Sequence, residues 1–153
     1  MTVDELQAFL DGAFPGPRNG FIVEACDDHH IRMRLPVDVT HSRPGGTVSG
    51  PTLMGLADCA AWLVVVAQIG PVALSVTTSL HIDFFRKPAI VDVVAVGTLL
   101  KLGSRLAVVD VELCSASATF PPAEGADAFS APLDSLVAKA QVTYSIPPDR
   151  SAS

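Results

Sequence analysis

From Pro51 to Gln68 the sequence reads PTLMGLADCAAWLVVVAQ, a helix-forming stretch with one charged residue, Asp58, near its middle. Leu53, Leu56, Ala60 and Leu63 share one stripe, but the other faces of the helix are apolar too. A helix that is apolar all round belongs inside a protein, so the rest of the chain must wrap around it. Pro51 suits the first helical position, where its missing N–H costs nothing, and Ser49 or Gly50 can cap it. Gly70-Pro71 stops it. Its longest uninterrupted apolar run, Cys59 to Ala67, is far short of the ~20 residues of a membrane span, so a core helix is expected and no membrane partner.

The flanking sequence supplies the wrapping. Residues 3–14 read as a short amphipathic helix, with Val3, Leu6, Phe9 and Leu10 at helical spacing and Gly16, Pro17 and Gly20 ending it. Phe21 to Cys26 and His30 to Val37 predict two strands around an Asp27-Asp28-His29 turn. On the second, Ile31, Met33 and Leu35 alternate with Arg32 and Arg34, which gives one buried face. His41 to Gly50, HSRPGGTVSG, is a loop whose Gly and Pro forbid a helix or a central strand. Ala73 to Phe85, Val91 to Leu102, Leu106 to Leu113 and Leu136 to Ile146 are rich in Val, Thr and Leu and predict strands. Leu102-Gly103-Ser104 is a turn, and Ser115 to Asp134 is a loop rich in Ala, Ser and Pro. No repeat or second domain is visible in residues 1–153. One central helix among about six strands implies an α+β fold, an antiparallel sheet wrapped around the helix.

Composition narrows the functional classes. Hydrophobic residues make up 49% of the chain and charged residues 17%, which is too apolar for disorder and below the roughly 25% charge of typical soluble domains. Such a chain is expected to hide part of its surface in a homo-oligomer. A net charge of −6 disfavours nucleic acid as a partner. Cys26, Cys59 and Cys114 are odd in number and widely spaced, which suits reduced thiols in a cytoplasmic protein rather than a disulfide framework or a zinc knuckle. The acidic start MTVDELQAFL has no basic n-region, so no secretory signal is expected.

Asp58 is the strongest chemical candidate, being the only Asp, Glu, Lys or Arg between Arg43 and Asp83. A carboxylate in apolar surroundings is expected to be partly desolvated, which raises its pKa unless donors compensate. A glycine-rich loop leads into the same helix, and a helix N-terminus offers backbone N–H groups beside the positive end of the dipole, suited to a developing oxyanion. Asp58 follows Gly50 by two turns, so base and oxyanion donor are expected to flank one carbonyl.

The segments GGTVSGPTLMGLADCAAW, TTSLHIDFFRKPA, GTLLKLGSRLAVVDVEL and LVAKAQVTYSIP resemble the hotdog-fold acyl-CoA thioesterases. The likeness is strongest to the phenylacetic-acid-degradation type, related to the 4-hydroxybenzoyl-CoA thioesterases, and covers about residues 20–147. It implies hydrolysis of an acyl-CoA, with CoA as part of the substrate and no separate cofactor. It places the family's helix acid on Asp58 and its oxyanion amide on Gly50. A hydroxyl that some members contribute from the facing subunit falls on Thr77, with Thr78 adjacent. The basic strand end falls on Arg86 and Lys87, and a segment that often contacts the CoA phosphates on Lys101, Gly103, Ser104 and Arg105. The family commonly opens the helix with His-Gly-Gly, where this chain has Ser49-Gly50-Pro51. It often carries Asn where this chain has Arg43, a residue suited to pairing with Asp58 or with phosphate.

Other residues carry less. His29 and His30 beside Asp27 and Asp28 lack a spaced third ligand, so a solvated turn is expected and no metal. Cys59 and Trp62 read as packing residues. Two other functions fit the same fold. One is acyl or CoA binding without turnover. The other is a hydratase or dehydratase, which would need His41 or His81 brought to Asp58.

Overall fold

The computed structural model describes residues 1–15, 20–116 and 128–148. The apolar stretch forms helix α2, Gly50–Ile69, after a first helix α1 at Val3–Ala13. Ser49 caps α2 by accepting the Thr52 N–H on its side chain, Pro51 sits in the first turn, and Gly70 ends the helix at φ 92°. Twenty residues with a mean hydropathy of 1.7 are enough to cross a bilayer by length and composition. Here Leu53, Leu56, Ala60, Leu63, Val64 and Val66 are instead buried against a sheet.

That sheet has six antiparallel strands: β1 (Ile22–Cys26), β2 (His30–Leu35), β5 (Val76–Phe84), β6 (Val93–Leu102), β7 (Leu106–Ser115) and β8 (Leu136–Ser145). Their order across the sheet is β1-β2-β6-β7-β8-β5, and α2 packs across all but β1. Gly97 on β6 lets the helix come close: a Cβ there would meet Ile31 Cγ2 at 3.0 Å and the Ala60 carbonyl at 3.7 Å. The arrangement is the expected one, a sheet wrapped on a central helix.

Boundaries differ where local chemistry intervenes. β2 stops at Leu35 rather than Val37 because Pro36 cannot donate to the ladder. β5 starts at Val76, three residues late, because Ser75 folds back in a turn and donates to the Val72 carbonyl. The 41–50 loop contains a two-stranded hairpin outside the main sheet, β3 (Ser42–Arg43) and β4 (Thr47–Val48). Gly45 and Gly46, at φ 103° and 71°, make its turn. Within the predicted 115–134 loop, residues 117–127 lie outside the described residues.

The two sheet edges are built differently. On the β1 side the outer face is covered as well, so the single buried face expected for β2 is incomplete. Arg32 is only 2% exposed. Its Nε donates to Glu24 at 2.7 Å and its Nη1 to the Ala128 carbonyl at 3.1 Å. Arg34 pairs with the same Glu24 and lies 3.6 Å from Asp92. α1 packs beside β1, with Leu6 and Leu10 buried. On the opposite side β5 has no such cover: only Leu80 and Ile82 are even partly buried.

Candidate active site

Asp58 lies half-buried on the α2 face that meets the start of β5. Two hydroxyls converge on its Oδ1. Thr77 Oγ1 donates at 2.6 Å, and the Tyr144 hydroxyl lies 2.7 Å from Oδ1 and 3.0 Å from the Asp58 carbonyl. Hydrogen bonds to a carboxylate are the strong kind. Among the described residues no donor reaches Oδ2, which leaves that oxygen to face a ligand or water.

The register of β5 explains why Thr77 is the residue that arrives. Thr77 pairs with Tyr144 and Ser79 with Thr143, so Thr78 is an extra residue in a bulge. Without the bulge, alternation back from Leu80 would bring Thr78 to the inner face. With it, Thr77 takes that place and Thr78 donates to the Thr143 carbonyl instead. The resemblance implies a hydroxyl from the facing subunit; here Thr77 reaches the Asp58 of its own subunit.

Asp58, Thr77 and Tyr144 form the polar end of a cavity of about 770 Å³. Gly55, Cys59 and Trp62 line it from α2, Phe14 from the end of α1, and Phe21 and Val76 from the strands. Burial, reinforced by the neighbouring Asp58 charge, pushes the Cys59 thiol up to about 12. Cys59 is therefore a neutral lining residue, as its sequence context indicates, not a thiolate nucleophile. Burial also raises the Tyr144 phenol, and the Asp58 carboxylate adds to the rise, so the hydroxyl stays protonated as a donor.

The second half of the expected machinery lies elsewhere. Gly50 opens α2; its Cβ position would lie 3.6 Å from Phe84 Cζ, at the far end of β5 from Thr77. Ser49 Oγ takes the Thr52 N–H and the Ser49 carbonyl takes that of Leu53. The Gly50 N–H is left without an acceptor among the described residues. Eight residues separate Gly50 from Asp58, a rise of ~12 Å, whereas donor and base must each come within ~3 Å of the reacting group. The expectation that both flank one carbonyl is corrected for a single subunit: the helix holds them too far apart.

The basic residues are likewise divided. Lys101 and Arg105, with Gly103 and Ser104, lie at the β6–β7 turn. Strand pairing of Leu102 with Ala107, Ala107 with Tyr144 and Tyr144 with Thr77 puts that turn at the Asp58 end. Arg86 and Lys87 follow Phe84 at the Gly50 end, so the four cations form no single rim on one subunit. Arg86 is also a structural strap: its Nη1 donates to the carbonyls of Leu133, Asp134 and Leu136 at 3.0, 2.7 and 3.1 Å. Arg43 is exposed on the β3–β4 hairpin and, among the described residues, makes no ion pair with Asp58.

The histidines stay away from the cavity. His41 Nδ1 lies 3.2 Å from Asp38, His81 Nε2 3.1 Å from Asp83, and His30 Nδ1 2.9 Å from Asp27. No cluster able to hold a metal ion occurs among the described residues. The geometry therefore gives Asp58 no histidine partner of the kind a hydratase needs. Sequence reasoning missed Tyr144. Its signal was a polar ring in phase with the inward-facing Ala138, Ala140 and Val142 of β8.

A helix acid held by two hydroxyls beside an apolar cavity, under a wrapped antiparallel sheet, defines the class. The chain belongs to the thioesterase superfamily, whose family profile matches residues 45–119, and the fold is the hotdog fold. A candidate thioesterase from Silicibacter sp. TM1040 is 40% identical, with 97% of this chain and 93% of that one covered and a TM-score of 0.78. Zebrafish thioesterase superfamily member 2 is 17% identical over 96% and 99% of the two chains, with a TM-score of 0.74. A hypothetical thioesterase protein from Streptococcus pneumoniae TIGR4, solved with coenzyme A, is 18% identical over 97% and 99%, with a TM-score of 0.68. The last two likenesses are of fold alone. No curated protein matches the chain.

Proposed function

We propose that this chain hydrolyses an acyl-CoA thioester, as a thioesterase of the phenylacetic-acid-degradation type, in a homodimer whose sites each use both subunits. The observation that carries the reading is the Asp58 carboxylate in the cavity wall, pinned through Oδ1 by Thr77 and Tyr144, with no donor on Oδ2 among the described residues. Oδ2 takes a proton from water as the water oxygen attacks the thioester carbonyl, or attacks that carbon itself and expels the CoA thiolate to leave an anhydride, which water then hydrolyses to the acid and the free Asp58 carboxylate, the proton released passing to the thiolate. In the water route, the tetrahedral oxyanion collapses to the carboxylic acid, the C–S bond breaks, and the proton held on Asp58 passes to the CoA thiolate. A backbone N–H at the oxyanion lowers the barrier to its formation.

That N–H is the one on Gly50, and a second subunit brings it within reach. β5 is an open edge of nine residues. Leu74, Val76, Phe84 and Phe85, on and beside it, are 50–58% exposed. An edge of this kind is a template for another strand. If two copies pair antiparallel with Leu80 at the two-fold axis, Phe84 stands opposite the partner subunit's Val76. Gly50, packed on Phe84, then approaches the partner subunit's Asp58. The same operation brings Arg86 and Lys87 toward the partner subunit's Lys101 and Arg105, joining the divided cations into one rim suited to CoA phosphates. Ser49 caps the helix that Gly50 opens, and Arg43 lies on the hairpin just before it.

The test is release of free thiol from an acyl-CoA panel, measured alongside the mass of the particle in solution. The reading expects turnover by a dimer or a dimer of dimers. Binding without thiol release, or turnover by a monomer, overturns it.

A further inference from the structure

The cavity extends past the reacting carboxylate, and its far section has a consistent chemistry. Gly55, Asp58, Cys59 and Trp62 are spaced three, four and seven residues apart and share one face of α2. Trp62 lies one turn, ~6 Å, beyond Asp58. At Gly55 an added Cβ would find nothing within 4 Å, so the glycine leaves the side of the cavity open next to the acid.

Trp62 is a fixed wall. It is 6% exposed. Its indole N–H donates to Ser75 Oγ at 3.2 Å, and Ser75 Oγ donates to the Val72 carbonyl at 3.2 Å. Phe9 lies against the ring at 5.3 Å between centroids and Phe14 meets it edge-on at 5.5 Å. The polar atoms of Trp62 and Ser75 are therefore spent on the protein, and what faces the cavity is hydrocarbon. Among the described residues Asp58 is the one charged member of the lining, and it is an anion.

We propose that this section is the acyl subsite, that it takes an uncharged apolar acyl group of at least ring size, and that Trp62 is its specificity-determining wall. The assignment rests on the thioesterase reading. A volume of about 770 Å³ lies in the ordinary range for small-molecule sites. An acyl chain ending in a carboxylate would set that charge against hydrocarbon near Asp58, with no cation among the described lining residues, a strongly unfavourable arrangement. Acetyl, at the other extreme, would leave the aromatic wall without contact.

The chain has a single tryptophan, so its emission reports on the subsite directly. The experiment has two arms on the full-length protein. In the first, kcat/KM is compared for acetyl-, hexanoyl-, octanoyl- and hexanedioyl-CoA. Hexanoyl-CoA is expected to exceed hexanedioyl-CoA by at least about a hundredfold. Trp62→Ala is expected to move the preference to longer chains. Gly55→Leu, whose Cβ has nothing within 4 Å and which favours the helix, is expected to cut activity more the longer the acyl group. In the second arm, Trp62 emission is titrated with octanoate and with hexanedioate in the Asp58→Asn protein. A saturable change with octanoate and none with hexanedioate is expected. An emission response with no hydrolysis of any thioester supports the subsite and overturns the activity. Hydrolysis that is equal for hexanoyl- and hexanedioyl-CoA, or preferences unmoved in both variants, overturns the subsite and leaves the activity standing.

Discussion

The β1 and β5 edges close the same sheet and are treated in opposite ways. β1 has five residues, is interrupted by a bulge between Val23 and Ala25, and lies beside α1. Its charges are used up in the pairs of Glu24 with Arg32 and Arg34. β5 has nine residues, no cover, and exposed Val76 and Phe84 at its two ends. Unpaired edges invite association, and proteins blunt the ones they do not use. This chain blunts one and leaves the other open. The open edge is the one that carries Thr77 and touches Gly50 at its far end, so the proposed assembly and the proposed chemistry share a strand.

Breaking the open edge is expected to have the largest effect. Glutamates at both Val76 and Phe84 would stand opposite one another across the proposed two-fold axis, and like charges facing across strands repel. The Val76→Glu/Phe84→Glu protein is expected to sediment as a folded monomer. It should lose on the order of a thousandfold in kcat/KM, because each site loses its oxyanion donor. A dimer with normal activity would contradict the assignment of the edge.

Next in size is Asp58→Asn, which keeps the shape of the side chain and the assembly but removes the base. Turnover should fall about a hundredfold or more with the sedimentation profile intact. Tyr144→Phe removes one of two donors to Oδ1. A hydrogen bond to a charged group contributes ~1.5–3 kcal/mol, so kcat is expected to drop roughly ten- to hundredfold, with little change in KM and the sedimentation profile intact. An unchanged kcat would reduce Tyr144 to a packing role.

The closed edge supplies the contrast. Glu24→Gln removes the carboxylate shared by the buried Arg32 and by Arg34, and weakening a buried ion pair costs stability. The expected outcome is a lower Tm, with kcat and dimerisation unaffected. If this variant dissociated the dimer, the two edges would not be as distinct as described.

Much of this was legible in the sequence, for physical reasons that can be traced. An eighteen-residue run apolar on every side, from Pro51 to Gln68, has only one place to go, and the Val- and Thr-rich segments after it have the right period to cover it. Asp58 stood out because a lone charge in such a helix needs a use. Tyr144, the Thr77 placement and the Trp62 wall were not legible. The Thr77 placement turns on the one-residue bulge at Thr78, which leaves no mark in composition, while Tyr144 and the Trp62 wall are set by contacts distant in sequence, β8 beside β5 and the indole N–H on Ser75. The division of the basic residues was hidden for a similar reason: Arg86 follows β5 at the Gly50 end, Arg105 lies at the β6–β7 turn at the Asp58 end, and Arg86 is committed to carbonyls only folding brings close. The ~12 Å between Gly50 and Asp58 follows from helix geometry alone, and under the proposed chemistry it makes a second subunit a requirement.

That requirement can be tested by complementation. Gly50→Pro removes the N–H at a position where helices accept proline, and Ser49 at φ −71°, ψ 150° already has the backbone a following proline needs. Homodimers of Gly50→Pro and of Asp58→Asn should each be nearly inactive, since every site carries a defect. In a mixed dimer of the two, a site shared between subunits joins the intact Gly50 of one chain with the intact Asp58 of the other, and the second site takes both defects. Purified mixed dimers, carrying a different affinity tag on each chain, are therefore predicted to recover about half the activity of the wild-type dimer. No recovery above the two parent homodimers would mean that Gly50 and Asp58 act within one subunit or not together at all, and would contradict the account.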